Sequence, residues 1–268
     1  MRVILSLAAI AMIQTAGAQE PIRLYAAGSL RAALNEVATA FTAASGVKVA
    51  AEYGASGLLR DRIAKGEPAE VFASANMAHP ESLAQSGKAA PVVLFARNRL
   101  CALAAPGVTV TSATLLERML DPAVKLGTST PKADPSGDYA WELFEKAERI
   151  KPGAYNVLSG KALKLVGGPD SPPPPKDRSA YGHALATGQA DIFLTYCTNA
   201  QQAKAEVAAL QIVAIPDELA VGADYGLTVI AGARPDAERF AQFVLSQPGQ
   251  AILSKHGFST ATPTKEPK

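Results

Sequence analysis

The feature that most constrains this chain is a unit that occurs twice near its start. Ile22 to Ala27 is a short apolar run, broken by Gly28-Ser29, after which Leu30, Leu34, Val37, Ala38 and Phe41 fall at helical spacing. Val47 to Tyr53 then reads as a second strand, turned by Gly54-Ala55-Ser56-Gly57 into Leu58, Leu59 and Ile63. A helix start leaves backbone N–H groups without partners and carries partial positive charge, which makes it a seat for an anion. In a parallel sheet the two strand ends would bring Ser29 and Ser56 to one point. Two readings stand side by side: ordinary helix N-caps, or hydroxyl donors to a shared ligand.

The remaining chain continues the strand–helix alternation. Strands are expected at Val71 to Ala75, Val124 to Gly127, Asp191 to Tyr196, Gln211 to Ile215 and Tyr225 to Ile230. Helices are expected over Glu81 to Ser86, Leu115 to Leu120, Tyr139 to Ile150, the segment after Lys176, Asp236 to Leu245 and Gly249 to His256. Two apolar runs, Val92 to Phe95 and Leu100 to Ala104, are interrupted by Arg97-Asn98-Arg99. The loop Thr128 to Asp138 is dense in hydroxyls and turn residues, and Thr128 to Lys132 is expected to be a solvent-facing turn. Lys164 to Gly168 with Ser171 to Pro175 reads as a stiff proline-rich spacer. The pattern predicts an α/β protein of two lobes, each a mostly parallel sheet flanked by helices, with a ligand cleft between them. Lobe 1 is assigned residues 19–96 with 226–258, lobe 2 residues 97–225, and residues 259–268 a disordered tail.

Residues 1–18 read as a cleavable secretory signal: Met1-Arg2, an apolar Val3 to Ile13, and Ala16-Gly17-Ala18 before Gln19. The mature chain is therefore expected in the periplasm, with no direct membrane insertion. Loss of Arg2 takes the net charge from +2 to +1, and this near-neutral balance without basic clusters argues against a nucleic-acid partner. In an oxidising compartment the even pair Cys101 and Cys197 favours a disulfide, the alternative being two buried thiols.

Catalytic patterns fail. His79, His183 and His256 lack paired acids or cysteines, no metal-ligand spacing occurs, and Leu58 stands where a GxSxG turn needs its last glycine. Asp191, at the head of a buried strand, reads as a structural hydrogen-bonding group. What the turns offer instead is neutral donors: serine hydroxyls, helix-start amides and the Tyr196 phenol. Such dipoles, fixed before binding, can hold a small dianion.

The ordered set Ala26-Ala27-Gly28-Ser29-Leu30, Gly54-Ala55-Ser56-Gly57, Gly66-x-Pro68-Ala69-Glu70-Val71-Phe72-x-Ser74-Ala75, Pro135-Ser136-Gly137-x-Tyr139, Tyr196, Tyr225 and Gly257-Phe258 resembles the periplasmic molybdate-binding proteins of bacterial ABC importers. The resemblance runs from Ile22 to Phe258. It implies two α/β lobes closing on molybdate or tungstate without catalysis or cofactor, and a membrane ABC permease as partner of a monomer. It also implies a ligand set: the Ser29 and Ser56 hydroxyls and amides, the Ser136 N–H, an N–H on or beside Arg178, and the Tyr196 phenol. Two departures stand out. Arg178 replaces an apolar residue of the family, and is expected to point outward while its main chain makes the contact. Asp134 and Asp138 flank the third turn, where an inward carboxylate would repel an anion, so both are expected to cap or pair locally. Alternatives are a binder of sulfate, phosphate, chromate or a small organic acid, or a periplasmic enzyme depending on Asp134, Asp138 or His183.

Overall fold

In the computed structural model, residues 20–173 and 178–260 are described. The expected signal segment, the end of the proline-rich spacer and residues 261–268 of the expected tail lie outside them. The first unit forms as its spacing predicts: β1 (Ile22–Ala27), a single 3-10 turn Gly28–Leu30, and α1 (Arg31–Ser45). The second is β2 (Val49–Gly54) running into α2 (Ser56–Ala64). Then follow β3 (Val71–Ser74), α3 (Ala78–Gln85), β4 (Val93–Ala104), α4 (Leu115–Leu120), β5 (Leu126–Ser129) and α5 (Pro135–Ile150). The second half continues with α6 (Ala154–Lys161), β6 (Leu163–Val166), α7 (Ala180–Ala186), β7 (Ile192–Tyr196), α8 (Cys197–Glu206) and β8 (Gln211–Ala214). β9 (Gly222–Val229), α9 (Pro235–Leu245), α10 (Gln247–Lys255) and β10 (Ser259–Thr260) complete it.

The strands run in the order β2-β1-β3-β9-β4-β7-β5-β6, with β8 and β10 also paired to β4. Outer pairs are parallel, as crossover helices require, while every pairing made by β4 and β9 is antiparallel. The sheet is therefore mixed, parallel in its outer pairs and antiparallel around β4 and β9. The long strand β4 unites the two apolar runs that the sequence splits: Val93 to Arg99 pairs with β9, and Leu100 to Ala104 with β7 and β8. Arg97 and Arg99 stay exposed on it, so the charges that read as an interruption only mark a wet face.

Each half buries its own helices against its strands. Leu34, Val37 and Phe41 of α1 pack under β1, with Phe41 edge-on to Phe240 and Phe243 of α9 at 5.2 and 5.6 Å. Leu143, Phe144 and Ala147 of α5 fill the other half. Three expectations are corrected. Thr128 and Ser129 are fully buried in β5, not a solvent-facing turn, because β5 lies inside the sheet between β7 and β6 with α5 packed on it. Leu163–Val166 is a strand paired with β5 rather than spacer. Ser259 and Thr260 pair with Arg97 and Ala96 of β4, so this part of the expected tail is ordered. The anticipated lobe limits at 96/97 and 225/226 fall inside β4 and β9; β4 pairs into both groups of strands, β9 with β3 and the first part of β4.

Candidate functional site

The two serines do not cap their helices. Ala55 is the residue before α2 and Leu30 the one before α1, and neither end has a side-chain cap. Ser29 instead sits within the 3-10 turn, with its Oγ 3.0 Å from the Tyr225 hydroxyl. Ser56 Oγ accepts the Ala75 N–H at 3.1 Å, which leaves its own proton to donate elsewhere. The Tyr196 hydroxyl donates to the Ala75 carbonyl at 3.4 Å, so the Ala75 backbone is shared between a serine of the first half and a tyrosine of the second. Behind them a chain of rings (Tyr139, Tyr196, Tyr225 and Phe258, centroids 5.5–6.2 Å apart) holds Tyr196 in place. Burial raises the Tyr196 phenol well above its ordinary pKa, with Tyr225 and Tyr139 adding to it, so the group stays a proton donor.

One cleft of about 700 Å³ gathers these groups; Ser29, Ser56, Ala75, Asp134, Arg178 and Tyr196 are among its walls. Four of the five ligand residues named from sequence therefore meet. Arg178 is exposed at the wall. Ser136 is fully buried and outside the lining, and its N–H donates to Asp134 Oδ1 at 3.0 Å. The amide beside Arg178 is likewise engaged: the Ser179 N–H donates to Glu206 Oε2 at 2.6 Å, and Ser179 Oγ caps α7 by accepting the Gly182 N–H. Asp134 and Asp138 do pair locally, Asp138 Oδ1 accepting the Lys132 N–H at 2.7 Å, yet Asp134 also faces the cleft. Burial lifts the Asp134 pKa to about 6; the Ser136 amide and Ser129 hydroxyl hold it down and Asp138 pushes it further up.

The halves touch where α2 begins. The Gly57 N–H donates to the Ala133 carbonyl at 2.8 Å. A methyl group at Gly57 would stand 2.7 Å from that oxygen and closer still to the Lys132 carbonyl. Only a glycine lets the two backbones approach this closely, which explains the last residue of Gly54-Ala55-Ser56-Gly57 better than any catalytic turn does. A disulfide joins Cys101 of β4 to Cys197, the first residue of α8, across a Cα separation of 4.9 Å. It fastens the residue next to Tyr196 to the strand common to both halves.

Sequence reasoning missed the Tyr225 hydroxyl as partner of Ser29, and the presence of Arg31, Tyr181 and Asn199 in the cleft wall. Position at the C-terminal end of a strand was the available signal for Asn199, which follows β7. Tyr225 stood in the set that carries the resemblance, but nothing local marked it as the partner of Ser29, 196 residues away in sequence. Among the described residues no group of His, Cys, Asp or Glu could hold a metal ion, and no helix is long and apolar enough to cross a membrane.

Comparison with known proteins agrees with the architecture. The chain is 36% identical over 245 residues to an uncharacterised protein of Pasteurella multocida, covering 91% of this chain and all of that one. It is 26% identical over 258 residues to the molybdate-binding protein ModA of Mycobacterium tuberculosis, covering 91% and 86% of the two chains. Among solved structures it superposes on the sulfate-binding protein SubI of M. tuberculosis with a TM-score of 0.76 at 20% identity, over 91% and 88% of the chains. Two of these similar proteins are named for different oxyanions, molybdate and sulfate, and the SubI structure shares the α/β fold. The family model for bacterial extracellular solute-binding proteins matches residues 22–259, and the chain belongs to that family.

Proposed function

We propose that this protein is an exported, monomeric solute-binding protein that captures a tetrahedral oxyanion, molybdate or tungstate in the first instance, and delivers it to a membrane ABC permease. The ligand enters between two lobes, residues 19–96 with 226–258 and residues 97–225, which close on it without chemistry or cofactor. Ser29, Ser56 and Tyr196 donate hydroxyl bonds to the oxygens, and Arg178 adds a cation at the wall. The reading rests on one observation: three neutral hydroxyls drawn from both halves line the same cleft. Charge-assisted bonds of this kind contribute roughly 1.5–3 kcal/mol each. Ser29→Ala with Ser56→Ala is therefore expected to weaken molybdate binding about 100- to 10,000-fold in calorimetric titration, with the fold retained. Unchanged affinity would reject this pocket.

A second reading is favoured by size. The cleft, about 700 Å³, lies within the range of sites that take small organic molecules. On that reading the oxyanion is one end of a larger ligand. Competition among molybdate, sulfate, phosphate, chromate and small phosphorylated acids separates the two.

A further inference from the structure

We propose that Asp134 makes oxyanion capture in this cleft proton-coupled, one proton being shared between its carboxyl and each dianion bound. The proposal rests on the oxyanion reading above and adds a condition to it. Two of the main-chain donors expected to meet a bare dianion from the second half are already spent on carboxylates: Ser136 N–H on Asp134, and Ser179 N–H on Glu206. Where a donor would be needed, the cleft wall presents Asp134 itself. The carboxyl is held in place from two sides. Its Oδ1 accepts the Ser136 amide, and Gly167 leaves room for it, since a Cβ there would stand 2.5 Å from Oδ2. It also sits next to the point where the halves meet, because Ala133 receives the Gly57 amide one residue after Ser56.

The groups around it offer no countercharge. Asp138 on α5 is a like charge, itself paired with the Lys132 amide; Tyr181 of α7 and Tyr196 at the end of β7 are phenols that burial keeps protonated. Ser129 of β5 supplies a neutral hydroxyl. Arg178 and His183 stand elsewhere on the cleft wall, and among the described residues neither pairs with Asp134. A dianion brought against an ionised carboxylate is repelled, and a proton between them turns that repulsion into a hydrogen bond. Molybdate and sulfate bring no proton, so the site takes one up from solvent onto Asp134. Hydrogen phosphate carries its own and donates it.

The test is calorimetric titration of the full-length mature protein at pH 7.5 in two buffers of different ionisation enthalpy. Wild type is expected to take up about one proton per molybdate, with affinity falling about tenfold per pH unit between roughly pH 6.5 and 8.5, and to bind hydrogen phosphate with no uptake. Asp134→Asn keeps an oxygen for the Ser136 amide and is expected to bind molybdate with no uptake and a flat pH profile. Wild-type molybdate binding without proton uptake overturns the proposal and leaves the oxyanion reading standing. Uptake that persists in Asp134→Asn also overturns it. Failure of both proteins to bind any of these oxyanions overturns the two together.

Discussion

The contact between Gly57 and the 132–133 backbone gives the most direct handle on how the halves approach each other. Gly57→Ala adds one methyl group at a helix position where any residue adopts the backbone, so the effect is contact alone. The new carbon would lie 2.7 Å from Ala133 O and 3.1 Å from Ala133 Cα, both main-chain atoms that cannot rotate away. Relieving the Ala133 contact alone requires about 0.7 Å of separation, and the closer Lys132 carbonyl requires more, enough to stretch the 2.8 Å Gly57–Ala133 hydrogen bond past useful length. Loss of that bond costs about 0.5–1.5 kcal/mol and the residual overpacking about 1–3 kcal/mol. Together they disfavour this contact by roughly 1.5–4.5 kcal/mol, or about 10- to 2,000-fold in affinity for a ligand whose binding needs it. Alanine's better helix propensity, at most about 1 kcal/mol, acts equally in open and closed forms and drops out of this difference. Hydrogen exchange across residues 55–59 reads the contact without any ligand, and small-angle scattering reads the opening. Faster exchange and a larger radius of gyration are expected. Unchanged exchange, scattering and ligand affinity in Gly57→Ala would refute the steric reasoning.

Other outcomes follow from the same geometry. Because the folded-state pKa of Asp134 is raised to about 6 from 3.8, its protonated form stabilises the fold below about pH 4, and that stability is lost as pH rises through 6. Asp134→Asn should consequently raise stability at pH 7–8 by roughly 1–3 kcal/mol in urea titration and change it little at pH 4; equal effects at both pH values would contradict the burial of that carboxyl. The Cys101–Cys197 bridge closes a loop of 96 residues in sequence separation, so Cys101→Ala with Cys197→Ala should cost about 2–5 kcal/mol in thermal or chemical unfolding. The same double variant should weaken ligand binding, since Tyr196 loses the anchor beside it. Free-thiol labelling of the unfolded, unreduced wild type should find none.

Much of the fold was legible because apolar spacing and Gly/Ser turns act locally. The first two strand–turn–helix units, the closing helices and the strand ending at Tyr196 all carry their signal within a dozen residues. Segments that were missed owe their structure to distant partners. α8 buries only Asn199, Ala200 and Ala203, so it shows no apolar stripe, and it is held by β4 through Cys101. Thr128 and Ser129 look like loop residues because hydroxyls are common in turns, yet the neighbouring strands β6 and β7 and the helix α5 bury them. At the site, Ser29, Ser56 and Tyr196 could be named from their turns and strand ends. That Ser136 would give its amide to Asp134 was half visible: the capping role is local, but the place of the same carboxyl on the cleft wall, close against Gly167, is set by residues distant in sequence.

The strand β4 has a consequence for how the molecule comes apart. Its first seven residues complete one half's sheet and its last five the other's, so neither half owns a full set of hydrogen-bonded neighbours without it. Disorder that begins on either side frees one end of that strand and removes ladder partners from the opposite side. The two groups of strands are thus expected to melt as one cooperative unit, because a continuous ladder rather than a severable tether joins them.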